Sequence, residues 1–148
     1  MTRPVQAENL LKRGLLQEEK SSSDEIGQFL NNAEDFMVGS KVAHVPAKVR
    51  YQNAYDAVFQ IAMAALRNLD VRPTHKEGSR NIIIQSLAWS LGVASDDLRT
   101  FIQADRIRAE EICRAASLAI GKKELETLID AASRLYDVAR KKLAGKSG

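Results

Sequence analysis

Apolar residues recur at steps of three and four along almost the whole chain, while convincing two-residue alternation is absent. That period belongs to amphipathic helices, because side chains three and four positions apart share one helix face. Helix breakers are sparse: the 148 residues include 8 glycines and 3 prolines, so only a few long segments are separated from one another. The spacing predicts an all-α protein, and short links between long helices predict antiparallel neighbours in an up-and-down helical bundle. A chain of this length fits one compact domain.

An opening helix is expected over residues 5–18, with Leu10, Leu11 and Leu15 on its apolar side. Ser22 followed by Glu25 is a capping-box pattern. It starts a second helix with the face Ile26, Phe29, Leu30, Ala33, Phe36 and Met37, stopped by Gly39 and Ser40. A third helix should begin near Pro46, which the first helical turn tolerates, and run to about Asp70. Its stripe is Tyr51, Tyr55, Val58, Ala62, Leu66 and Leu69. Ala54, Ala57, Ile61 and Ala64 form a second apolar face, which marks a central helix. VRPTHKEGSR interrupts the pattern, and NIIIQSLAWSLG then reads as one short helix closed at Gly92.

Ser95 is the expected N-cap of the next helix, whose apolar positions are Leu98, Phe101, Ile102, Ala109, Ile112, Cys113, Ala116 and Ile120. The last helix follows Gly121 and has the cleanest stripe: Leu125, Leu128, Ile129, Ala132, Leu135, Tyr136, Ala139 and Leu143. Residues 1–44 are read as an N-terminal helical extension. Residues 45–144 are read as the core, with four main helices and one or two extra short ones in the whole domain.

Several chemistries are excluded. Cys113 is the single cysteine, so there is no intrachain disulfide and no cysteine-based zinc site. Near Ala109 and Ala116 it suits a small-residue helix contact better than a nucleophile. There is no glycine-rich phosphate loop, no histidine pair at metal-ligand spacing and no serine elbow, so no metal and no cofactor is expected. No run is long enough for a membrane, and MTRPVQAENLLKR lacks a signal-peptide apolar core; a cytoplasmic protein is expected. The net charge is +3, with the positives dispersed among acids until Arg140, Lys141, Lys142 and Lys146, where they complement a helix C-terminus. Trp89 and the tyrosines sit at helical spacing and read as core or interface, with a base-stacking platform as the lesser reading.

The stretch DRIRAEEIC, residues 105–113, concentrates Asp105, Arg106, Arg108, Glu110 and Glu111. Continuing the apolar spacing of its helix predicts burial near position 105, so Asp105 is expected to point inward, with Arg108 one turn on. A buried charge must be paired, because removing it from water costs several kcal/mol. Asp105 with Arg108, and Arg106 with Glu110, have the three- and four-residue spacing for pairing along the helix.

RYQNAYDAVFQIAMAALRNLDVRP, then GSRNIIIQSL, then FIQADRIRAEEI together resemble the three central helices of the HEPN superfamily of small prokaryotic helical bundles. The segment LLKRGLLQEEKSSSDEIGQFL resembles the N-terminal part of its stand-alone members, and AYDA at 54–57 is the most typical local piece. The resemblance implies a dimer in which an arginine, followed after four to six residues by a histidine, forms a metal-free ribonuclease site. Arg106 falls on that arginine, but Glu111 stands where histidine or tyrosine is expected. After Gly78, where similar chains often carry two histidines, this one has Ser79 and Arg80.

His75 is the remaining candidate for proton transfer, since an unperturbed imidazole titrates in the useful range; His44 is a weaker one. The resemblance thus implies a degenerate homodimeric interaction module. Its polar cleft would comprise Tyr55, Arg80, Asp105, Arg106, Arg108, Glu110 and Glu111. A small nucleotidyltransferase or RNA is the implied partner, in a toxin–antitoxin or defence setting. The alternatives are a ribonuclease using Arg106 with Glu111 or His75, and a scaffold without a ligand.

Overall fold

The computed structural model describes residues 3–75, 79–114 and 119–143, and only the backbone of residues 111–114. Helix α1 (Val5–Lys12) leads to strand β1 (Leu16–Glu18), followed by α2 (Ser23–Ser40) and α3 (Ala47–Asn68). Strand β2 (Val71–Pro73), the short helices α4 (Ser79–Gln85) and α5 (Leu87–Ser90), and the long helices α6 (Ser95–Arg114) and α7 (Lys122–Leu143) complete it. The protein is an all-α helical bundle with one small two-stranded sheet. Among the described residues, no helix is long and apolar enough to cross a membrane.

Side-chain pairs fix the directions of the long helices. Between α2 and α3, Gly39 lies against Asn53, Asn32 donates to Gln60 at 3.3 Å, and Glu25 meets Arg67 at 3.1 Å, so one helix descends as the other climbs. Tyr136 and Arg140 of α7 reach Glu34 and Asn31 of α2 in the same opposed sense. Asp97 and Gln103 of α6 meet Arg134 and Glu124 of α7 likewise. Helices α2, α3, α6 and α7 therefore alternate in direction. Although α2 lies within residues 1–44, it packs closely on both α3 and α7.

Helix α3 is central because both of its apolar faces are covered. Tyr51, Tyr55, Val58, Ala62 and Leu66 are buried, and so are Ala54, Ala57, Ile61 and Ala64. In α7 the expected stripe is buried, together with Ala131, except for Tyr136, which is half-buried with its hydroxyl at the surface between Glu34 and Arg140.

Three local readings need correction. The first helix ends at Lys12, since Gly14 adopts φ 73°, and Leu15 and the residues after it turn away to build β1. β1 pairs antiparallel with β2, Gln17 opposite Arg72, inside the stretch read as an irregular interruption. α2 ends at Ser40, where Gly39 and Ser40 place its stop; Gly39 is also a close contact, where a Cβ would lie 2.9 Å from the Asn53 amide. The NIIIQSLAWSLG segment is broken at Ser86 into α4 and α5, although Gly92 has the left-handed φ of 69° that a helix-ending glycine supplies.

Arg67, only 2% exposed, joins the small sheet to the bundle. Its guanidinium donates to the carbonyls of Glu19 at 2.9 Å, Val71 at 3.1 Å and Lys20 at 3.2 Å, and to the Glu25 carboxylate at 3.1 Å. Nearby, Asp70 adopts φ 58°, a conformation that Asp tolerates better than most residues. Its carboxylate accepts the backbone N–H of Ser21 at 2.9 Å. The Ser22 hydroxyl caps α2 by accepting the N–H of Glu25 at 3.2 Å, as its spacing predicts.

Replacing Arg67 by Ala strips these carbonyls of their donor. The expected loss is about 3 kcal/mol, at the lower end for breaking a buried ion pair because the carboxylates can rehydrate. Arg72→Ala, which removes a half-exposed pair with Glu19 and a surface hydrogen bond to the Gln17 amide oxygen, should lose about 1 kcal/mol. Urea unfolding measures both, as a lower midpoint at unchanged slope.

Candidate functional site

Where α3, α4 and α6 meet, the polar stretch of α6 enters the core. Among its described side chains Phe101, Ala104 and Asp105 are buried, so Asp105, 6% exposed, occupies the inward position that the apolar spacing reserves for it. A carboxylate held there needs donors, and two converge on one oxygen. The Tyr55 hydroxyl of α3 donates to Oδ1 at 2.6 Å, and Arg80 Nε of α4 donates to the same atom at 2.9 Å. Arg80 also donates from Nη2 to the Asp105 carbonyl at 3.2 Å, and its guanidinium lies 5.9 Å from the centre of the Tyr55 ring. Short bonds to an ionised acceptor are among the stronger hydrogen bonds, and a cation over an aromatic face adds attraction.

This arrangement corrects the expected pairing. Asp105 is held from α3 and α4, not by Arg108 on its own helix. Arg108 turns to Asp56, the residue after Tyr55, with Nε 3.7 Å from Oδ1 and both side chains 28% exposed. Burial pushes the Asp56 carboxyl up, against the downward pull of Arg108 and then Arg80. Arg106 and Glu110 face solvent. Glu111, with Ile112 and Cys113, lies where only the backbone is described, and Ala116 lies outside the described residues.

The structure thus unites Tyr55, Arg80 and Asp105, sets Arg108 beside them through Asp56, and leaves Arg106 and Glu110 on the outer edge of α6. His75 is exposed in the loop after β2, and His44 is exposed between α2 and α3. Among the described residues, no group of three histidine, cysteine or acidic side chains converges to hold a metal.

The chemistry of the network is that of a fixed donor set. Burial, and after it the Asp105 carboxylate, push the Tyr55 phenol well above its ordinary range, so Tyr55 stays protonated and donates. One turn away, burial pushes the Tyr51 phenol from 10.0 to about 12, with the Glu124 charge adding to the effect. Asp56 is not among the residues that the apolar spacing singles out. Its signal is its place in AYDA, immediately after a residue of the buried stripe.

No protein-family model matches the chain, and no curated protein matches it.

Two outcomes are expected here. Tyr55→Phe removes a hydrogen bond to a buried carboxylate and should lose about 1.5–3 kcal/mol in urea unfolding; paired with Asp105→Asn, its effect should be non-additive. Since the folded pKa of Tyr51 is raised, its contribution to stability is complete below pH 10 and fades as pH climbs towards 12. Tyr51→Phe should therefore show a shallower fall in stability than the parent across that window.

Proposed function

We propose that the protein is a noncatalytic, HEPN-like interaction module that works as a homodimer and engages a partner protein through the polar edge of α6. A nucleotidyltransferase-type partner in a toxin–antitoxin or defence setting is what the sequence resemblance suggests. The observation supporting binding over turnover is the committed state of the buried groups. Asp105 is occupied by Tyr55 and Arg80, and Arg108 is paired with Asp56. A general acid or base must reach its substrate with a proton to exchange. Here the acceptor is sealed by two donors, and the phenol is held protonated by burial.

What remains accessible is a charged edge. Arg106 and Glu110 sit exposed one turn apart, and Arg80 and Arg108 lie partly exposed beside them. A two-fold axis alongside α6 sets each Arg106 opposite the Glu110 of the second copy, since a C2 interface pairs one patch with itself. Guanidinium forks on this edge also suit phosphate, so RNA binding is the competing outcome of the test.

Light scattering at micromolar concentration should give the mass of two chains, and Arg106→Glu, which sets like charges against each other, should shift it towards one. Structured and unstructured RNA incubated in chelator should remain intact and unshifted in native gels, whereas a retarded band lost in Arg106→Ala establishes RNA binding instead. A monomeric parent overturns the dimer. Cleavage that disappears in Arg106→Ala establishes the ribonuclease reading instead.

A further inference from the structure

Where α5 gives way to α6, residues 91–94 pass beside α7 and leave an open groove of about 220 Å³. Leu91, Phe101 and Leu135, all buried, form its floor, and Val138, 37% exposed, stands at its rim. We propose that this groove binds a small monocarboxylic acid with an apolar body.

Size and walls select the body. An apolar cavity of about 150 Å³ takes a benzene ring, so 220 Å³ accommodates one ring or a short alkyl chain together with a polar head. The groove falls below the roughly 300–1,000 Å³ of sites that hold larger ligands. Its floor residues belong to the main core and come from the link after α5, from α6 and from α7, so close packing fixes the walls before a ligand arrives.

Charge selects the head. Arg134, Val138 and Lys142 follow one another at four-residue steps, along one face of α7 that spans about 12 Å at the helical rise. At one end Arg134 donates to Asp97 at 2.9 Å, and the pair is neutral as a unit. At the other end the Lys142 ammonium lies 4.0 Å from the place that a Cβ on Gly92 would take, and it donates to the Leu91 carbonyl at 3.3 Å. That oxygen is neutral, and among the described residues no acid pairs with the ammonium. One uncompensated positive charge beside an apolar floor matches one carboxylate on an apolar body. A lysine ammonium is a point charge on a flexible stem, so it can turn to meet that head. By contrast, the groove between α2 and α7 sets Glu34 and Asp137 against Lys41, a balance that repels the same head.

Phenylacetate and hexanoate are the probes, with phenylacetamide and hexanamide as their uncharged counterparts. In two-dimensional NMR of the full chain, the backbone N–H signals of Gly92 and Val138 should shift saturably with either acid. The carboxamides should bind about threefold to fivefold more weakly, the scale of one solvent-exposed charge pair. Lys142→Gln should abolish that difference. Val138→Glu, at an exposed position, should weaken binding of the acids by at least about tenfold, because it sets a like charge beside the head. Absence of a saturable shift, or equal affinity for acid and carboxamide in the parent, overturns the proposal. So does a preference for the acids that survives Lys142→Gln, or undiminished affinity in Val138→Glu. Signals of Gly92 and Val138 that move with protein concentration alone identify a second copy of the chain as the occupant and overturn it as well. The groove shares no residue with the charged edge of α6, so its failure leaves the interaction-module reading standing.

Discussion

A guanidinium sealed inside the protein is the constraint around which the N-terminal half is arranged. Arg67 ends the buried face of α3, and its donors reach carbonyls of Glu19, Lys20 and Val71, none of which belongs to a long helix. The chain before α2 must therefore pass close to the end of α3 and the start of β2, and pairing β1 with β2 meets that condition. Glu25, in the first turn of α2, faces the same cation and sets the height at which α2 lies against α3. Without such partners a cation at this depth carries a desolvation penalty of several kcal/mol. The irregular run between α1 and α2 is thus specified by one side chain on another helix.

The opposite sign solves the matching problem further along α3. Tyr55 lies twelve residues before Arg67, about 18 Å away at the helical rise, and carries the donor that holds Asp105 of α6. Arg80 closes the contact from α4. Purely apolar faces tolerate sliding by a turn, but a buried ion with named partners has one satisfactory position. α3 therefore fixes α2 and the sheet at one end and α4 and α6 nearer its start, while α7 covers the remaining apolar face with Leu128, Leu135 and Ala139.

Much of this was legible from spacing. The two apolar faces of α3, the cap at Ser22 and the inward direction of Asp105 all follow from the helical period. What the period does not carry is the partner of a buried charge, because that depends on which helices meet. Arg108 stands one turn from Asp105 in sequence, yet Tyr55 and Arg80 supply the donors. The spacing that exposed Asp105 as an intruder, applied to Ala54, Ala57, Ile61 and Ala64, reaches Arg67 as the next turn of the same face. The sheet was illegible for another reason: strands of three residues leave too short a record of alternation.

The two buried ions differ in a way that bears on function. Arg67 is enclosed by carbonyls, and no rearrangement at the surface relieves it. Asp105 is closed off on one side by Arg80, whose side chain is 37% exposed. A partner that drew Arg80 outward would leave Asp105 with Tyr55 alone among these donors, and the penalty for an under-paired carboxylate would count against that complex. Only a ligand offering the guanidinium comparable acceptors could offset the loss. On the proposed reading, the network would resist casual occupation of the α6 edge, where Arg106 and Glu110 are exposed. Selectivity of this kind, in which wrong partners are disfavoured by what they unpair, belongs to recognition.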